Sequence, residues 1–529
     1  MMKIFSLLFV IYLSSINIQS SNAEIDCTIY DNDLDAVNMN PFYVERSQAS
    51  YPRTFALYDY TLKVTELSIV DDVNPSSSIF CVKNLQKLQL INTNLTILPD
   101  IKNFQQLTSL LIQTDNGIID QHLPSEFGQL RSLSDLTLSN IKNLEDLPNE
   151  IEHLIDLTSL TLQNMPNFNK IPDESIGKLI YLNRLNLIDL PNLSNIPSTM
   201  NNFQLLQQLE ITKTNINNLS LDNLMSLYGL KISFNSILKT VQITNMLKLY
   251  SIDIRNNNEL LTLTLQNLSS LQSLSIPSNT KLISLDMENL SAISTISITD
   301  SAQLKSIILK KFSKLNTFEL YSLSNLELVS FENTPVLSTV TIKTSPQLKT
   351  ISFVDVPSIT NLDLSGCQLT TFPESILTLK SLVKLVMTSN QLSELPLTLS
   401  TDLPNLRILN LVNNKLQGNI FQPPLVYVRE LYLSNNSLTS IDGIGKHKSL
   451  QRLELDYNRI SSIPLEIMKL SPTLMRMTIT YNLLNHIPFS MTNMRSLNTF
   501  NAGYNNISLN ERAYIRNLFQ KPPMNVNFN

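Results

Sequence analysis

The sequence is poor in several residue types that common kinds of protein chemistry require. Its 529 residues include 9 glycines, 3 cysteines, 4 histidines and no tryptophan, and only 16% of the residues are charged. Scarce glycine argues against Gly-rich phosphate-binding loops, and the lack of tryptophan argues against Trp-lined sugar platforms. A net charge of −5 gives no positive field to attract nucleic acid or anionic lipid. Nucleic acid is therefore not an expected partner.

What the sequence does contain is enough apolar material for a large core. Hydrophobic residues make up 43% of the chain, which excludes a disordered protein. The length alone would predict several globular domains, but a repeat protein grows along one axis without splitting. Internal repeats therefore decide how the length is interpreted.

Residues 1–23 have the features of a secretory signal peptide. Lys3 precedes the apolar run 4–13, and the small residues Ser21 and Ala23 stand at the −3 and −1 positions of a cleavage site. A signal anchor, the alternative, would need an apolar run of about twenty residues. No later segment is apolar enough to span a membrane, and the polar tail 521–529 does not match a lipid-anchor signal. We expect a secreted, extracellular protein without a transmembrane or lipid anchor.

Two features agree with an oxidising, secretory route. Cys27 and Cys81 enclose the region before the regular repeats, which predicts a disulfide that closes an N-terminal cap. Asn-x-Ser/Thr sequences, some of which arise by chance in a chain rich in Asn and Ser, predict glycosylation sites. These acceptors are Asn94, Asn192, Asn218, Asn267, Asn289, Asn435 and Asn506.

A pattern of the form LxxLxL, with Ile, Val, Phe or Met allowed at the Leu positions, recurs along most of the chain. Apolar residues alternate with polar ones within it, which predicts a short strand with one buried face. About twenty such strands, returning after about 22 residues each, predict parallel strands stacked along one axis. The copies begin at Val64, Leu85, Leu107, Leu133, Leu157, Leu182, Leu206, Leu227, Leu249, Leu271, Ile293, Leu315, Leu337, Ile359, Leu382, Leu406, Val428, Leu450, Leu474 and Leu497.

Asparagine often stands three positions after the last Leu of this pattern. An inward Asn at a bend can bind the backbone groups of neighbouring coils, which predicts a ladder of buried amides. Cys367 occupies the same position in its repeat, so we interpret it as a buried, unreactive thiol. The asparagines are Asn235, Asn257, Asn279, Asn390, Asn414, Asn436, Asn458, Asn482 and Asn505.

The unit LxxLxLxxN, often followed by LxxLP as in LELDYNRISSIP at 453–464, resembles the leucine-rich-repeat superfamily. The resemblance spans about residues 64–507. It implies an α/β solenoid rich in strands, with about twenty parallel strands in a curved sheet whose concave side commonly binds partners. Early copies such as LTLSNIKNLEDLPNEIEHL are similar to plant receptor and resistance proteins, but no kinase or nucleotide-binding module accompanies them.

Two kinds of repeat are visible. Copies near both ends close with an apolar residue and Pro, which predicts short helices or 3₁₀ turns on the convex side. The centre, about residues 219–358, divides into half-repeats of about eleven residues, each with its own strand pattern. We therefore expect strands on the convex side there.

These patterns predict four segments. They are the signal peptide at 1–23, an N-terminal cap with the first repeat at 24–82, the solenoid at 83–507, and a C-terminal cap with a tail at 508–529. Ser508 to Glu511 resembles a capping box and predicts a helix within the last segment.

No residue pattern supports catalysis, a cofactor or a metal. The sequence has no HExxH, CxxC or GxSxG, and its histidines, His122, His153, His447 and His486, are interpreted as exposed loop residues. The segment 442–448 is interpreted as a polar turn. A pectin-cleaving parallel β-helix has coils of similar length, but it would need acidic residues gathered on adjacent coils. The sequence predicts a protein that is not an enzyme.

Candidate ligand-binding residues lie where the concave side chains become large and charged. Tyr and Arg are enriched in binding hot spots, although a solvated array of charges would look similar. Much of the remaining concave side carries small Ser and Thr residues. The candidates are Glu430, Tyr432, Arg452, Glu454, Asp456 and Arg476, with a weaker set at Glu319, Tyr321, Lys343, Asp363 and Lys384.

The function that these observations favour is extracellular recognition. The concave sheet would bind an extracellular protein or glycan. An inhibitor of secreted wall-degrading enzymes is one alternative, and a structural or adhesive cell-wall protein is another.

Overall fold

The computed structural model describes residues 26–39, 43–44, 54–59, 61–72, 75–93, 98–114, 121–518 and 525–527. The predicted signal peptide and the predicted glycosylation site Asn94 lie outside the described residues. The chain forms two compact units, Met1–Leu182 and Asn183–Asn529.

The first unit consists of a cap and a run of parallel strands. Strand Phe55–Tyr58 pairs antiparallel with Val64–Val70, which then begins the parallel series. Its strands are Tyr43–Val44, Phe55–Tyr58, Val64–Val70, Lys87–Ile91, Ser109–Gln113, Asp135–Ser139 and Ser159–Gln163. Its helices are Cys27–Ile29, Asp33–Asn38, Ser77–Cys81, Leu98–Asn103, Ser125–Gln129, Asn149–His153 and Asp173–Ile176.

A buried carboxylate organises the cap of this unit. Asp33 accepts hydrogen bonds from the backbone amides of Val64 and Lys83 and from the side chain of Asn84, at 3.3, 3.1 and 2.8 Å. The disulfide between Cys27 and Cys81 joins the same segments. These bonds connect the short helix Asp33–Asn38 to the first repeats.

The second unit contains one long series of parallel strands, called the main sheet. Alternate residues are buried, as in Thr295–Thr299, so one face of the sheet packs on the core and the other faces solvent. The strands are Arg184–Leu190, Gln208–Thr214, Gly229–Ser233, Ser251–Arg255, Ser273–Pro277, Thr295–Thr299, Thr317–Tyr321, Thr339–Lys343, Asn361–Asp363, Lys384–Val386, Ile408–Asn410, Glu430–Tyr432, Arg452–Glu454, Arg476–Thr478, Thr499–Asn501 and Asn525–Asn527. The prediction of a solenoid of short parallel strands is confirmed.

Each central coil of this unit also carries a strand outside the main sheet, as the half-repeats predicted. The side of the coils that carries these strands is here called the second face. These strands form two separate parallel sheets rather than one. The first contains Asn218–Asp222, Thr240–Thr244, Thr262–Gln266 and Ser284–Glu288, and the other contains Ser306–Lys310, Leu328–Glu332 and Thr350–Val354. A further short pair, Gln417–Gly418 and Ser437–Leu438, lies nearer the C-terminus.

Short helices replace these strands outside the centre. Several begin directly after a proline, for instance after Pro197, Pro373, Pro464 and Pro488, because proline is compatible with extended chain that turns into a helix. The helices of the second unit are Ser198–Asn202, Glu374–Thr378, Leu399–Asp402, Ile444–Lys446, Leu465–Leu470, Phe489–Asn493 and Leu509–Leu518. The last one begins at the predicted capping box, where the hydroxyl of Ser508 accepts from the amide of Glu511.

Buried asparagines join successive coils, as predicted. Asn458 donates to the carbonyls of Leu433 and Leu455, both at 3.0 Å, and accepts from the amide of Leu438 at 3.0 Å. Cys367 takes the same position, is fully buried, and donates to the carbonyl of Ile342. Burial raises the pKa of the Cys367 thiol to about 12, which agrees with an unreactive side chain.

Candidate functional site

Five of the six candidate ligand-binding residues lie on three neighbouring strands of the main sheet. Glu430, Arg452 and Arg476 align in one row across the sheet. Tyr432, Glu454 and Thr478 align in the next row. Because strands in a sheet are about 4.8 Å apart, each row brings its side chains into mutual reach.

Tyr432 and Arg452 form the centre of this group. The guanidinium of Arg452 lies 5.1 Å from the centre of the Tyr432 ring, within the range of a cation–π contact. Arg452 also donates twice to Glu454, at 2.9 and 2.6 Å, and the Tyr432 hydroxyl donates to Glu430. Burial, assisted by the bond to Glu430, raises the pKa of Tyr432 to about 12. The four side chains thus hold one another in fixed positions.

Asp456, the sixth candidate, lies just past the end of strand Arg452–Glu454. One carboxylate oxygen accepts from the hydroxyl of Thr478, and the other accepts from the amide and hydroxyl of Thr480, all at 2.7 Å. Asp456 therefore ties its own coil to the next one. Its role in the fold accounts for its position without any ligand.

Arg476 differs from the other candidates. It is exposed, and its side chain has no hydrogen bond or ion pair with any residue that the structure describes. The acidic groups near it are already satisfied by Tyr432, Arg452 and the two threonines. Arg476 is therefore a cation available for a partner.

A set of stacked tyrosines that the sequence interpretation missed lies beside these residues. Tyr457, Tyr481 and Tyr504, here called the tyrosine ladder, stack with ring centres 4.2 Å apart and planes within 9° of parallel. The rings remain 50%, 40% and 59% exposed. A hydrogen bond with Tyr457 raises the pKa of Tyr481. Each tyrosine immediately precedes one of the buried asparagines that join successive coils, and a comparison of that position in all repeats would have revealed the set.

The weaker candidate set is only partly assembled. Lys343 and Asp363 form an ion pair at 2.9 Å, and Tyr321 aligns with Lys343 on the neighbouring strand. Burial raises the pKa of Tyr321, and the hydrogen bond to Asp363 raises that of Lys343. Glu319 aligns with Thr341 on the neighbouring strand, and Lys384 aligns with Asn361 on its neighbouring strand. The set has no stacked aromatic residues.

The interpretation of the histidines as exposed loop residues is wrong for His447. Its ring is fully buried against Phe421, with ring centres 5.4 Å apart, and neither ring nitrogen has a hydrogen-bond partner. Burial lowers the pKa of His447 to about 4. The segment around it is also not a plain polar turn, because it contains the 3₁₀ helix Ile444–Lys446, which places the ring in the core. By contrast, His122 is exposed and lies 2.7 Å from Asp146, which raises its pKa.

The predicted glycosylation sites within the described residues are all exposed. They are Asn192, Asn218, Asn267, Asn289, Asn435 and Asn506. Exposure is compatible with modification, and occupancy stays a prediction.

Outside the candidate residues, the described part of the chain has cavities but no group of residues suited to a metal ion. No group of His, Cys, Asp or Glu suited to a metal ion occurs among the described residues. In the same part of the chain, no helix is both long and apolar enough to cross a membrane. A cavity of about 810 Å³ lies on the second face, lined by residues such as Phe353, Val356 and Pro357. It is far along the chain from the candidate residues, and Lys311 and Asp355 are also among the residues that line it.

Comparison with known proteins agrees with the repeat pattern. Residues 428–466 match a family model described as Leucine Rich repeats (2 copies), and this segment includes strands Glu430–Tyr432 and Arg452–Glu454. Residues 428–466 are thus leucine-rich repeats, and the fold of the described residues is that of a leucine-rich-repeat solenoid.

Proteins of similar sequence match this chain only over short stretches. An uncharacterised leucine-rich-repeat-containing protein of Schizosaccharomyces pombe is 37% identical over 105 residues, which is 19% of this chain and 17% of that protein. Osteomodulin of Bos taurus is 35% identical over 144 residues, which is 26% of this chain and 33% of that protein. The matches therefore span a third or less of these relatives.

A solved structure matches over most of the length but at low similarity. A leucine-rich-repeat protein of Leptospira interrogans is 23% identical, with 87% of this chain and 95% of that chain covered and a TM-score of 0.29.

Proposed function

We propose that this protein is a secreted recognition protein that binds an extracellular protein through the main sheet and catalyses no reaction. The binding surface is centred on Glu430, Tyr432, Arg452 and Arg476. An inhibitor of secreted wall-degrading enzymes would be one form of such a protein.

The observation that supports this proposal is the arrangement around Tyr432. Three strands in register present a tyrosine and an arginine that are held by neighbours, beside an arginine that has no partner among the described residues. Held side chains lose little conformational entropy on binding, and Tyr and Arg are the residues that most often dominate protein interfaces. A group of surface charges that only contacts solvent would not need the contact between Arg452 and the Tyr432 ring, and it would not need the unpaired Arg476.

A protein partner fits this surface better than a glycan. The rings of the tyrosine ladder stack on one another, so their edges and hydroxyls face outward while most of their faces are covered. Sugar binding on aromatic platforms uses the open ring face. Peptide and side-chain groups can contact ring edges as well as faces.

The test is capture of partners from the extracellular fluid of the source organism. Immobilised wild-type protein is compared with the variants Arg476→Glu and Tyr432→Ser, with Lys314→Glu as a matched control. Lys314 is exposed in a turn remote from the surface in sequence, so the control changes charge equally. Circular dichroism first establishes that each variant is folded.

We expect the wild type and Lys314→Glu to retain the same extracellular protein and the two surface variants to lose it. Equal retention by all four proteins would contradict the surface, and no specific retention would favour a structural wall component. Release of reducing ends from pectin by the purified protein would contradict the statement that it is not an enzyme.

A further inference from the structure

The tyrosine ladder occupies a backbone position that does not suit tyrosine. Tyr457, Tyr481 and Tyr504 have φ values of 56°, 50° and 54°, in the left-handed region. Large side chains rarely adopt this conformation, whereas Asn tolerates it. Asn413 and Asn435 fill the same position on the two preceding coils, with φ of 58° and 54° and an amide hydrogen bond of 2.7 Å between them. Asparagine is thus the residue that the fold itself would favour.

The presence of three consecutive tyrosines at such positions indicates a use beyond the fold. The fold imposes this left-handed conformation along the solenoid, as at Lys213, Ser278 and Thr344, so the run of three tyrosines, rather than the backbone strain, requires an explanation. The rings are about half exposed and support one another by stacking, so they form a rigid surface. A rigid aromatic surface can bind another chain at a low entropic cost.

Arg476 lies on the same coil as the middle tyrosine. It is five residues before Tyr481, and five residues of extended chain span about 16 Å. Between them, Asp456 accepts hydrogen bonds of 2.7 Å from the half-buried Thr480 and from the buried Thr478. Asp456 keeps its negative charge, because its hydrogen-bond donors are neutral, and Arg476 is an exposed cation of this region without an ion pair among the described residues.

We propose that Arg476 and the tyrosine ladder bind an extended peptide segment of the partner. The segment carries an Asp or Glu side chain that pairs with Arg476. Four to six residues away it carries a proline or an aromatic side chain that packs on the ladder. This inference rests on the proposed function and names the chemistry of the partner. The positive charge of Arg476 is the reason for the acidic residue in the peptide. The half-exposed tyrosine rings are the reason for the proline or aromatic residue.

The experiment is a selection of random twelve-residue peptides displayed on phage against the immobilised full chain. Enriched peptides are synthesised, and their Kd values are measured by fluorescence anisotropy. The variants are Arg476→Ser and the triple variant Tyr457→Asn, Tyr481→Asn and Tyr504→Asn. Because Asn suits the left-handed region, the triple variant should fold, and circular dichroism checks this.

Phe234→Asn is the matched control. Phe234 is 51% exposed, has a φ of 58°, and occupies the same position on a distant coil of the main sheet. The substitution therefore repeats the chemical change of the triple variant outside the proposed surface.

We expect enriched peptides to combine an acidic residue with proline or an aromatic residue. Their Kd should rise at least tenfold with Arg476→Ser and with the triple variant, and stay unchanged with Phe234→Asn. Peptides without an acidic residue, or peptides that bind all variants equally, would overturn the inference, as would a selection that enriches nothing. Any of these three results would leave the proposed function intact, provided that the variants Tyr432→Ser and Arg476→Glu still fail to capture the extracellular protein. If those variants captured it as well as the wild type does, the proposed function itself would be contradicted.

Discussion

The centre of the second unit and its C-terminal section join their coils in different ways. In residues 218–354 both faces carry five-residue strands, so backbone pairing connects successive coils on each side. In residues 361–501 the main strands shorten to three residues and helices cover much of the second face. The C-terminal section therefore needs another source of bonds between coils.

Asparagine side chains supply those bonds. Asn390, Asn414, Asn436, Asn458 and Asn482 each bind the backbone of the preceding coil. In the second half of the centre the corresponding positions carry Ser301 and Ser345, whose hydroxyls contact only nearby carbonyls of their own coil. The first half of the centre has the same bonds at Asn235, Asn257 and Asn279, so side-chain amides join the coils there and in the C-terminal section, and the second half of the centre relies on strand pairing.

The two regions also differ in the surface they present. The solvent face of the central main sheet is mostly small and hydroxylated, as at Ser275, Ser297 and Thr339. The C-terminal section carries the held tyrosine and arginine and the tyrosine ladder. Strand pairing on both faces and the candidate binding residues are therefore concentrated in different parts of the second unit.

The largest expected effect comes from removing one ladder amide. Asn458→Ala leaves the buried amide of Leu438 and two buried carbonyls without their partner, which should lower the free energy of unfolding by about 4 kcal/mol. Ser301→Ala, the matched change in the centre, should cost less than about 1 kcal/mol because it removes one long hydrogen bond. Urea unfolding of both variants measures the difference. Equal losses would contradict the proposed division between side-chain and strand bonding.

The buried His447 should make the C-terminal section sensitive to acid. The folded pKa of about 4 lies below the ordinary value of 6.5, so between these pH values the unfolded chain binds a proton that the folded chain does not. Stability should fall as the pH drops from 6.5 to 4 and then level off, by up to about 3 kcal/mol.

His447→Leu should remove most of this dependence when urea midpoints are compared across the pH range. His486→Gln, which changes an exposed histidine, should leave the dependence intact. A pH profile that is the same in His447→Leu as in the wild type would show that other groups cause it.

Two opposite substitutions, one in each region, test the left-handed backbone position at the bend of the coil. Thr344 in the centre has a φ of 55°, a conformation that branched side chains rarely adopt, whereas Asn413 in the C-terminal section has a φ of 58°. Thr344→Asn should therefore raise the free energy of unfolding by about 1 kcal/mol, and Asn413→Thr should lower it by at least about as much. Thermal unfolding of both variants provides the measurement. Changes of the same sign would contradict the backbone explanation.

The smallest expected effect on stability belongs to Arg476. The side chain is exposed and has no partner among the described residues, so Arg476→Glu should change the free energy of unfolding by less than about 0.5 kcal/mol. Chemical unfolding checks this value. A large loss would mean that Arg476 supports the fold, and its effect on binding would then be indirect.

Much of the fold could be predicted because its periodicity is strong. The leucines fixed the strands, the half-repeats predicted strands on the second face, and the position of Asn458 predicted its bonds to neighbouring coils. The burial of His447 could not be predicted, because Lys446 and Lys448 on either side suggest an exposed turn. The 3₁₀ helix Ile444–Lys446 ends immediately before His447, and the chain there turns the histidine inward while both lysines stay exposed, which local composition does not show.

The candidate site was predicted in part. The register of Glu430, Arg452 and Arg476 followed from the repeat length. Which charges pair with one another did not, because Arg452 binds Glu454 of its own strand rather than Glu430 across the sheet. The tyrosine ladder was missed because its residues lie beyond the strands, at a position that varies among Asn, Ser, Lys and Tyr along the chain.

Hydrogen–deuterium exchange of the protein with and without its captured partner tests the central claim most directly. We expect slower exchange at residues 430–432, 452–457 and 476–481 when the partner is bound, with no change at the central strands 273–277 and 295–299. Protection confined to the central strands or to the second face, with none at the C-terminal strands, would contradict the account.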